Sequence, residues 1–520
     1  MKYLARIESF LMLALILSVF MTAGCDENNG SGDGVTFPPP NPQLISIAQR
    51  GQKAPDGQGT FIQLERPVGP SDTGWVAFRA VERVSEDTLR LVLYTGDGNV
   101  LSEVARNGDP APGGGFYADF PQNIGVNDQA QLAFVGTTGE SPDDKFGDTD
   151  GYYLSGNDGI LALVREGDAV PGGGTVSKLC IPGLLGCFYS YGGLNENGQI
   201  AFAAVLTGTS EDMALFLAGT DGLTELARKG DQAPDGNGVF DGIFSVTGPN
   251  ESGQVVFIAG ISGTSGGEDD NEGIYIADAQ GVIKLAREGD TVPGGNGTFG
   301  DLDFVTGIND SGEAAFRAVL DGTSGGDEDN LALYIASGSG IMELARTGDP
   351  VPGGGGGIID SIYPTNPNES GEVAFAASII EGDEGLPNDS GIFLAGPSGI
   401  TKLIRVGDSG PGGEGLFTGF LPGGLNDSNE VIFRAGLFRE DMEEPFAKTQ
   451  PGLYRVGPGG SVKALAEAFQ PVPPDGSKLI QTIENRFQGP NNSGLALFQS
   501  ILMSAEQLRT NNGFGIFIAQ

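Results

Sequence analysis

The sequence predicts an all-β fold: an eight-bladed β-propeller with four antiparallel strands per blade, closed into a ring by its own first strand. Three observations predict it. A long passage of text returns at a fixed period, so that Arg287, Arg346 and Arg405 open matching stretches 59 residues apart. Each of four strand-like pieces occurs eight times along the chain. The array is also split between the termini. It starts on a lone fourth piece, Leu44 to Ala48, and ends on a lone third piece, G-I-F-I-A-Q. An open solenoid needs capping units at its ends and has no use for this split. A ring uses it, because the spare first strand completes the unit left short at the end. The runner-up, a β-helix, has shorter rungs and no tight antiparallel hairpins.

Composition agrees. Gly contributes 88 and Pro 31 of 520 residues, many at fixed places in each unit, where they mark turns. The formal net charge of −40 excludes nucleic acid as a partner, since phosphates are repelled. It leaves divalent cations and basic partners open, beside plain solubility. The absence of His removes Ser-His-Asp and Cys-His catalysis and His-ligated zinc.

The N-terminus reads as an export signal. A mildly positive start precedes the apolar run Phe10 to Met21, too short to span a bilayer. Thr22-Ala23-Gly24-Cys25 resembles a bacterial lipobox. That resemblance implies a signal peptide over 1–24, a diacylglycerol on Cys25, and a chain held to the membrane by that lipid. The other reading is an ordinary signal peptide with a free cysteine. Residues 25–43, Gly/Ser-rich and then Pro-rich, form a tether. The propeller is expected over 44–520.

Within each unit the first piece follows a Gly/Pro-rich connection, as at Thr60-Phe61 and Thr298-Phe299. The second follows N-x-x-G-x-x-x-F, at Asn127, Asn195, Asn250, Asn309, Asn368, Asn426 and Asn491, with Ser71-Asp72-Thr73-Gly74 in the first unit. These are hairpin turns, in which Asn accepts from nearby backbone and Gly takes the positive φ. The third piece ends near an aromatic residue such as Tyr94, Tyr275 or Phe517. The fourth is G-I-x-x-L-A-R. Cys180 and Cys187 lie in the one unit with extra length, and read either as a disulfide stapling a local insertion or as two buried thiols.

Strands alternate up and down, so the tight hairpins share one face and the longer loops share the other. The loop face carries the acidic stretches 140–150, 268–272, 327–330 and 439–444. It also carries six copies of R-x-G-D: Arg106/Asp109, Arg165/Asp168, Arg228/Asp231, Arg287/Asp290, Arg346/Asp349 and Arg405/Asp408. Each Arg is expected to pair with its Asp or with the next blade as a structural clasp. The alternative is a ring of Arg around the channel mouth that binds an anion. The acidic loops suggest Ca²⁺, a hard cation taking oxygen ligands, with Asp148, Asp150, Glu268, Asp269, Asp270, Asp327 and Asp329 as ligands; solvated charge is the other reading.

The repeats, with Ala133-Phe134, Ala201-Phe202, Ala315-Phe316 and Ala374-Phe375 closing the motif, resemble the bacterial tandem-repeat family named for N-x-x-G-x-x-x-A-F, the choice-of-anchor proteins. The resemblance covers about residues 44–520. It implies export and surface anchoring, and carries no biochemical activity. Function then reads as an envelope-held binding module for a protein or glycan at the acidic loop face, with no catalytic residues. A carboxylate-based propeller glycosidase or lyase and a purely structural envelope component are the alternatives.

Overall fold

A computed structural model describes residues 44–520, apart from 184–185, 211, 303, 354–355, 383–388, 441–447, 474–477 and 505–510. Side chains are also undescribed at 180–183, 186–189, 381–382, 485–486, 503–504 and 511–513. The expected signal peptide, tether and Cys25 therefore lie outside the described residues, as do the side chains of Cys180 and Cys187.

Eight antiparallel blades follow one another, each ordered first to fourth strand. Blade 1 comprises Thr60–Val68, Val76–Arg83, Leu89–Gly96 and Leu101–Arg106. Blades 2 to 7 occupy 116–165, 175–228, 239–287, 298–346, 356–405 and 416–467. Blade 8 is built from both ends of the chain: Lys478–Gln488, Ala496–Ser504 and Asn511–Ala519, completed by Leu44–Gln49. In that last pair Leu44 lies opposite Ala519 and Gln49 opposite Gly515. The ring closes as the split repeat requires. The extra length of blade 3 is a small hairpin, Cys180–Gly183 against Gly186–Tyr189, in which Cys180 lies opposite Tyr189 and Cys187 opposite Pro182.

The core is a set of eight apolar layers, one in each gap between neighbouring blades. The cause is strand alternation: Ala314, Phe316 and Ala318 face blade 4, while Ala315 faces blade 6. In every blade the motif Phe packs on the aromatic residue opposite it in the third strand, stacked in seven blades and tilted in blade 3. Phe78–Tyr94, Phe134–Tyr153, Phe202–Phe216, Phe257–Tyr275, Phe316–Tyr334, Phe375–Phe393, Phe433–Tyr454 and Phe498–Phe517 have ring centroids 5.4–5.7 Å apart. These rings are fully buried. Each contributes about 1.5–3 kcal/mol from burial.

The first strands of neighbouring blades converge. A Cβ on Gly192 would lie 1.7 Å from the Gly248 carbonyl, and one on Gly424 would lie 2.5 Å from that of Gly489. Only glycine permits such an approach of backbone to backbone.

The N-x-x-G turns do more than reverse the chain. In Asn250 the side-chain oxygen accepts from the N–H of Ser252 and Gln254, while its amide donates to the Asn309 carbonyl of the next blade at 3.0 Å. The residue after the Asn adds a second link, with its backbone N–H donating to the side chain of the matching residue one blade on. The links run from Asp128 to Glu196, to Glu251, to Asp310, to Glu369, to Asp427, to Asn492, to Asp72, and from Thr73 back to Asp128. All eight gaps are bridged, at 2.8–3.1 Å.

Candidate interaction face

The opposite face carries R-x-G-D. Each Arg is expected to pair through its side chain with its own Asp or with the next blade. The aspartate oxygen takes the arginine backbone N–H instead, at 2.8 Å for Asp168, Asp231, Asp349 and Asp408, and at 3.1 Å for Asp109. The reason is reach: a three-residue turn brings a short carboxylate to the strand end, while the guanidinium extends away. In the remaining motif Asp290 accepts from Lys284 at 2.9 Å.

Three of the guanidinium groups, those of Arg228, Arg287 and Arg346, tie down the connection that enters their own blade. Arg228 donates to the carbonyls of Pro171 and Gly173, both at 3.1 Å. Arg287 grips both oxygens of Asp235, at 2.9 and 3.0 Å, and the Asn237 carbonyl. Arg346 reaches the carbonyl of Asn296 and also bonds Glu343. Arg405 is buried against Asp389. Arg165 reaches Thr138, and Arg106 bonds Glu103. At the seam, where the motif is degraded, glutamine takes over both tasks. Gln52 and Gln470 cap the N–H groups of Gln49 and Glu467, and Gln49 reaches the Pro473 carbonyl at 2.6 Å. Arg228, Arg287, Arg346 and Arg405 are only 2–7 % exposed, so these four guanidinium groups form no open ring for an anion.

The acidic loops divide in two. Asp270 accepts from the Asn237 amide and the Gly266 N–H, and Asp329 from the Asn296 amide and the Gly325 N–H, in matching loop closures. Both are held below the usual carboxylate range. For Asp329 the Thr323 hydrogen bond is the main cause; for Asp270 burial pulls the other way and Thr264, Asn237 and Gly266 outweigh it. Asp150 accepts from Thr137 and Asp148 from Thr149. Glu268, Asp269 and Asp327 are exposed. Among the described residues no three acidic or Cys side chains gather around one point, so the expected Ca²⁺ ligands are dispersed.

The exposed charge of the face is therefore mostly acidic: four of its six motif arginines are buried, while Glu140, Asp143, Asp148, Glu268, Asp269 and Asp327 are exposed. In the loop of blade 2, Asp144 accepts from the N–H of Phe146 and Gly147, and this turn projects the Phe146 ring. Phe146 is 89 % exposed, beside the exposed carboxylates of Glu140, Asp143 and Asp148 and the exposed ammonium of Lys145. The acidic composition was legible in the sequence. The exposed Phe146 was not, because one Phe among thirty carries no periodic signal.

A profile described as "Family of unknown function (DUF7453)" matches residues 13–210, 181–292 and 282–448. No curated protein matches the sequence. Among solved structures, one from a study of two prolyl endopeptidases is 12 % identical with a TM-score of 0.37, covering 85 % of this chain and 55 % of that one. A post-proline cleaving enzyme from Rickettsia typhi is 9 % identical with a TM-score of 0.39, covering 84 % and 57 %. TolB from Acinetobacter baumannii is 14 % identical with a TM-score of 0.26, covering 72 % and 76 %. The chain thus spans little more than half the length of the two peptidases, and none of their chemistry carries over at this likeness.

Proposed function

This chain belongs to the DUF7453 family, a family of unknown function, and from that premise we propose that it is a binding module of the bacterial cell envelope. In this reading the lipid on Cys25 holds the chain at the membrane. The ring is a rigid platform that assigns no residue to catalysis, and the loop face docks a basic protein or glycan partner. The export signal, the lipobox and the likeness to anchored repeat proteins support the location.

Phe146 carries the reading of the face. A ring this exposed, set in an acidic surface, has the character of an interface anchor surrounded by steering charge. Monomer folding gains nothing from its position. The test places a photo-crosslinking residue at 146 in the full chain within its native envelope. A discrete crosslinked product that high salt abolishes is expected. A chain that crosslinks nothing there, while residues on the hairpin face do, would overturn the reading.

A further inference from the structure

Between the first strands of blades 8, 1 and 2 lies a cavity of about 700 Å³, where eightfold regularity fails. Its volume falls within the range of small-molecule sites. Arg66 lines it with φ 52°, inside a bulge that sets Glu65 opposite Arg79 and Val68 opposite Ala77. A long side chain in the left-handed region is uncommon and persists only where the surroundings over-determine it. Here both neighbouring blades grip the strand. The Asn123 amide of blade 2 donates to the Arg66 carbonyl at 2.8 Å, and the Gln499 amide of blade 8 donates to the Leu64 carbonyl at 3.1 Å. The bulge re-aims the arginine.

The Arg66 guanidinium donates to the neutral Gln122 oxygen at 2.7 Å, and forms no ion pair among the described residues. Its neighbour Arg79, by contrast, is shared between Glu65 and Asp119. In a chain with 68 acidic and 28 basic residues, a half-buried arginine that bonds a neutral amide rather than a carboxylate is unusual, and its charge is suited to an anion. The rest of the lining supplies amides, from Gln63, Gln122 and Gln488, two aromatic rings, Phe487 and Phe514, and two carboxylates, Glu65, which is taken up by Arg79, and Glu484. Just under the wall, the oxygens of Asn123 and Gln499 have no donor, and their nitrogens are already committed to backbone carbonyls.

We infer that this cavity binds an acidic sugar: a carboxylate on Arg66, hydroxyl groups on the amides, and the apolar sugar face on Phe487. The site is separate from the loop face and stands without the reading of that face.

The test titrates the full chain, extracted in mild detergent, with sodium glucuronate, glucose and sodium acetate by calorimetry. Glucuronate is expected to bind at least tenfold more tightly than either control. The decisive variant is Arg66→Gly. Glycine accepts the left-handed backbone, so the variant is expected to melt at or above the parent temperature while losing tenfold or more in glucuronate affinity. Arg66→Gln, which keeps a long polar side chain without the charge, is expected to lose affinity similarly. Absence of glucuronate binding to the parent, equal affinity for glucose, or undiminished binding by a folded Arg66→Gly would each overturn the inference.

Discussion

The backbone N–H of Asn492 donates to the Asp72 carboxylate at 2.8 Å, joining blade 8 to blade 1 across 420 positions of sequence. The same link joins every other pair of blades, so the seam is held by the device that holds the rest of the ring. Asp72→Ala removes one charge-assisted hydrogen bond at an exposed turn and is expected to cost about 1 kcal/mol in urea unfolding. Asp310→Ala should cost about the same. Only the first should speed amide exchange in Leu44–Gln49, because only the first loosens the seam where that strand is attached. Equal exchange of that strand in both variants would mean that the outer-strand pairing alone closes the ring.

Much of this fold was legible in the sequence because its determinants are local and repeated eight times. The N-x-x-G turn, the motif Phe and the third-strand aromatic each meet partners at a fixed offset, so counting copies gave the ring. The R-x-G-D contacts were less legible. Spacing suggested that Arg and Asp pair, but spacing does not reveal that the carboxylate prefers backbone while the guanidinium crosses to a connection some 50 residues earlier. The cavity at the seam was not legible at all. Its residues come from three blades, and the feature that marks Arg66 is a backbone angle. One hint was present: the residue after the motif Phe is Arg79, Arg317 and Arg434 in three blades and Gln499 in a fourth. Arg79, Arg317 and Gln499 all reach backbone carbonyls of the next blade's first strand or its approach, at Phe120, Ile362 and Leu64.

The Arg405–Asp389 pair should behave as a buried ion pair. Both side chains are 6 % exposed, and Arg405 Nε lies 2.9 Å from Asp389. Asp389→Ala leaves a buried cation and is expected to cost about 3–5 kcal/mol. Replacing both residues by apolar ones of similar volume should cost much less, since both desolvation terms vanish together. Urea unfolding of the two single variants and the double variant measures the difference. A single variant costing under about 1 kcal/mol would show that water enters and solvates the remaining charge.

Stability should pass through a maximum in mildly acidic solution. Burial first, and then neighbouring carboxylates of the turn ring, raise Glu196 and Glu369 above the ordinary glutamate value of 4.5. Their contribution is fully present below that value and is lost as pH rises through their folded pKa. Asp270 and Asp329 lie below the ordinary value of 3.8. Their contribution is present above that value and is lost as pH falls through their folded pKa. Melting temperature is therefore expected to rise as pH falls from neutral toward the ordinary glutamate value, then to fall as pH drops below the ordinary aspartate value. Glu369→Gln should flatten the upper side, and Asp329→Asn the acid side. A curve rising steadily from pH 4 to pH 8 would contradict this balance.

Calcium should leave the melting temperature of the ring unchanged. A Ca²⁺ site needs six to eight oxygens converging on one point. One oxygen of Asp270 and both oxygens of Asp329 instead receive N–H groups from their own loop and from the preceding connection, the second Asp270 oxygen is buried without a donor, and Glu268, Asp269 and Asp327 stand in water beside them. To bind the ion, each loop would have to give up its closing hydrogen bonds. A ligand at a hundredfold excess over its Kd stabilises the folded state by about 2.7 kcal/mol, which a thermal melt resolves readily. Melts in millimolar Ca²⁺ and in chelator are therefore expected to coincide. Asp329→Ala should lower both equally, because the partners it loses belong to the protein. An upward shift with Ca²⁺ that Asp329→Ala removes would instead mean that the loop rebuilds itself around the metal.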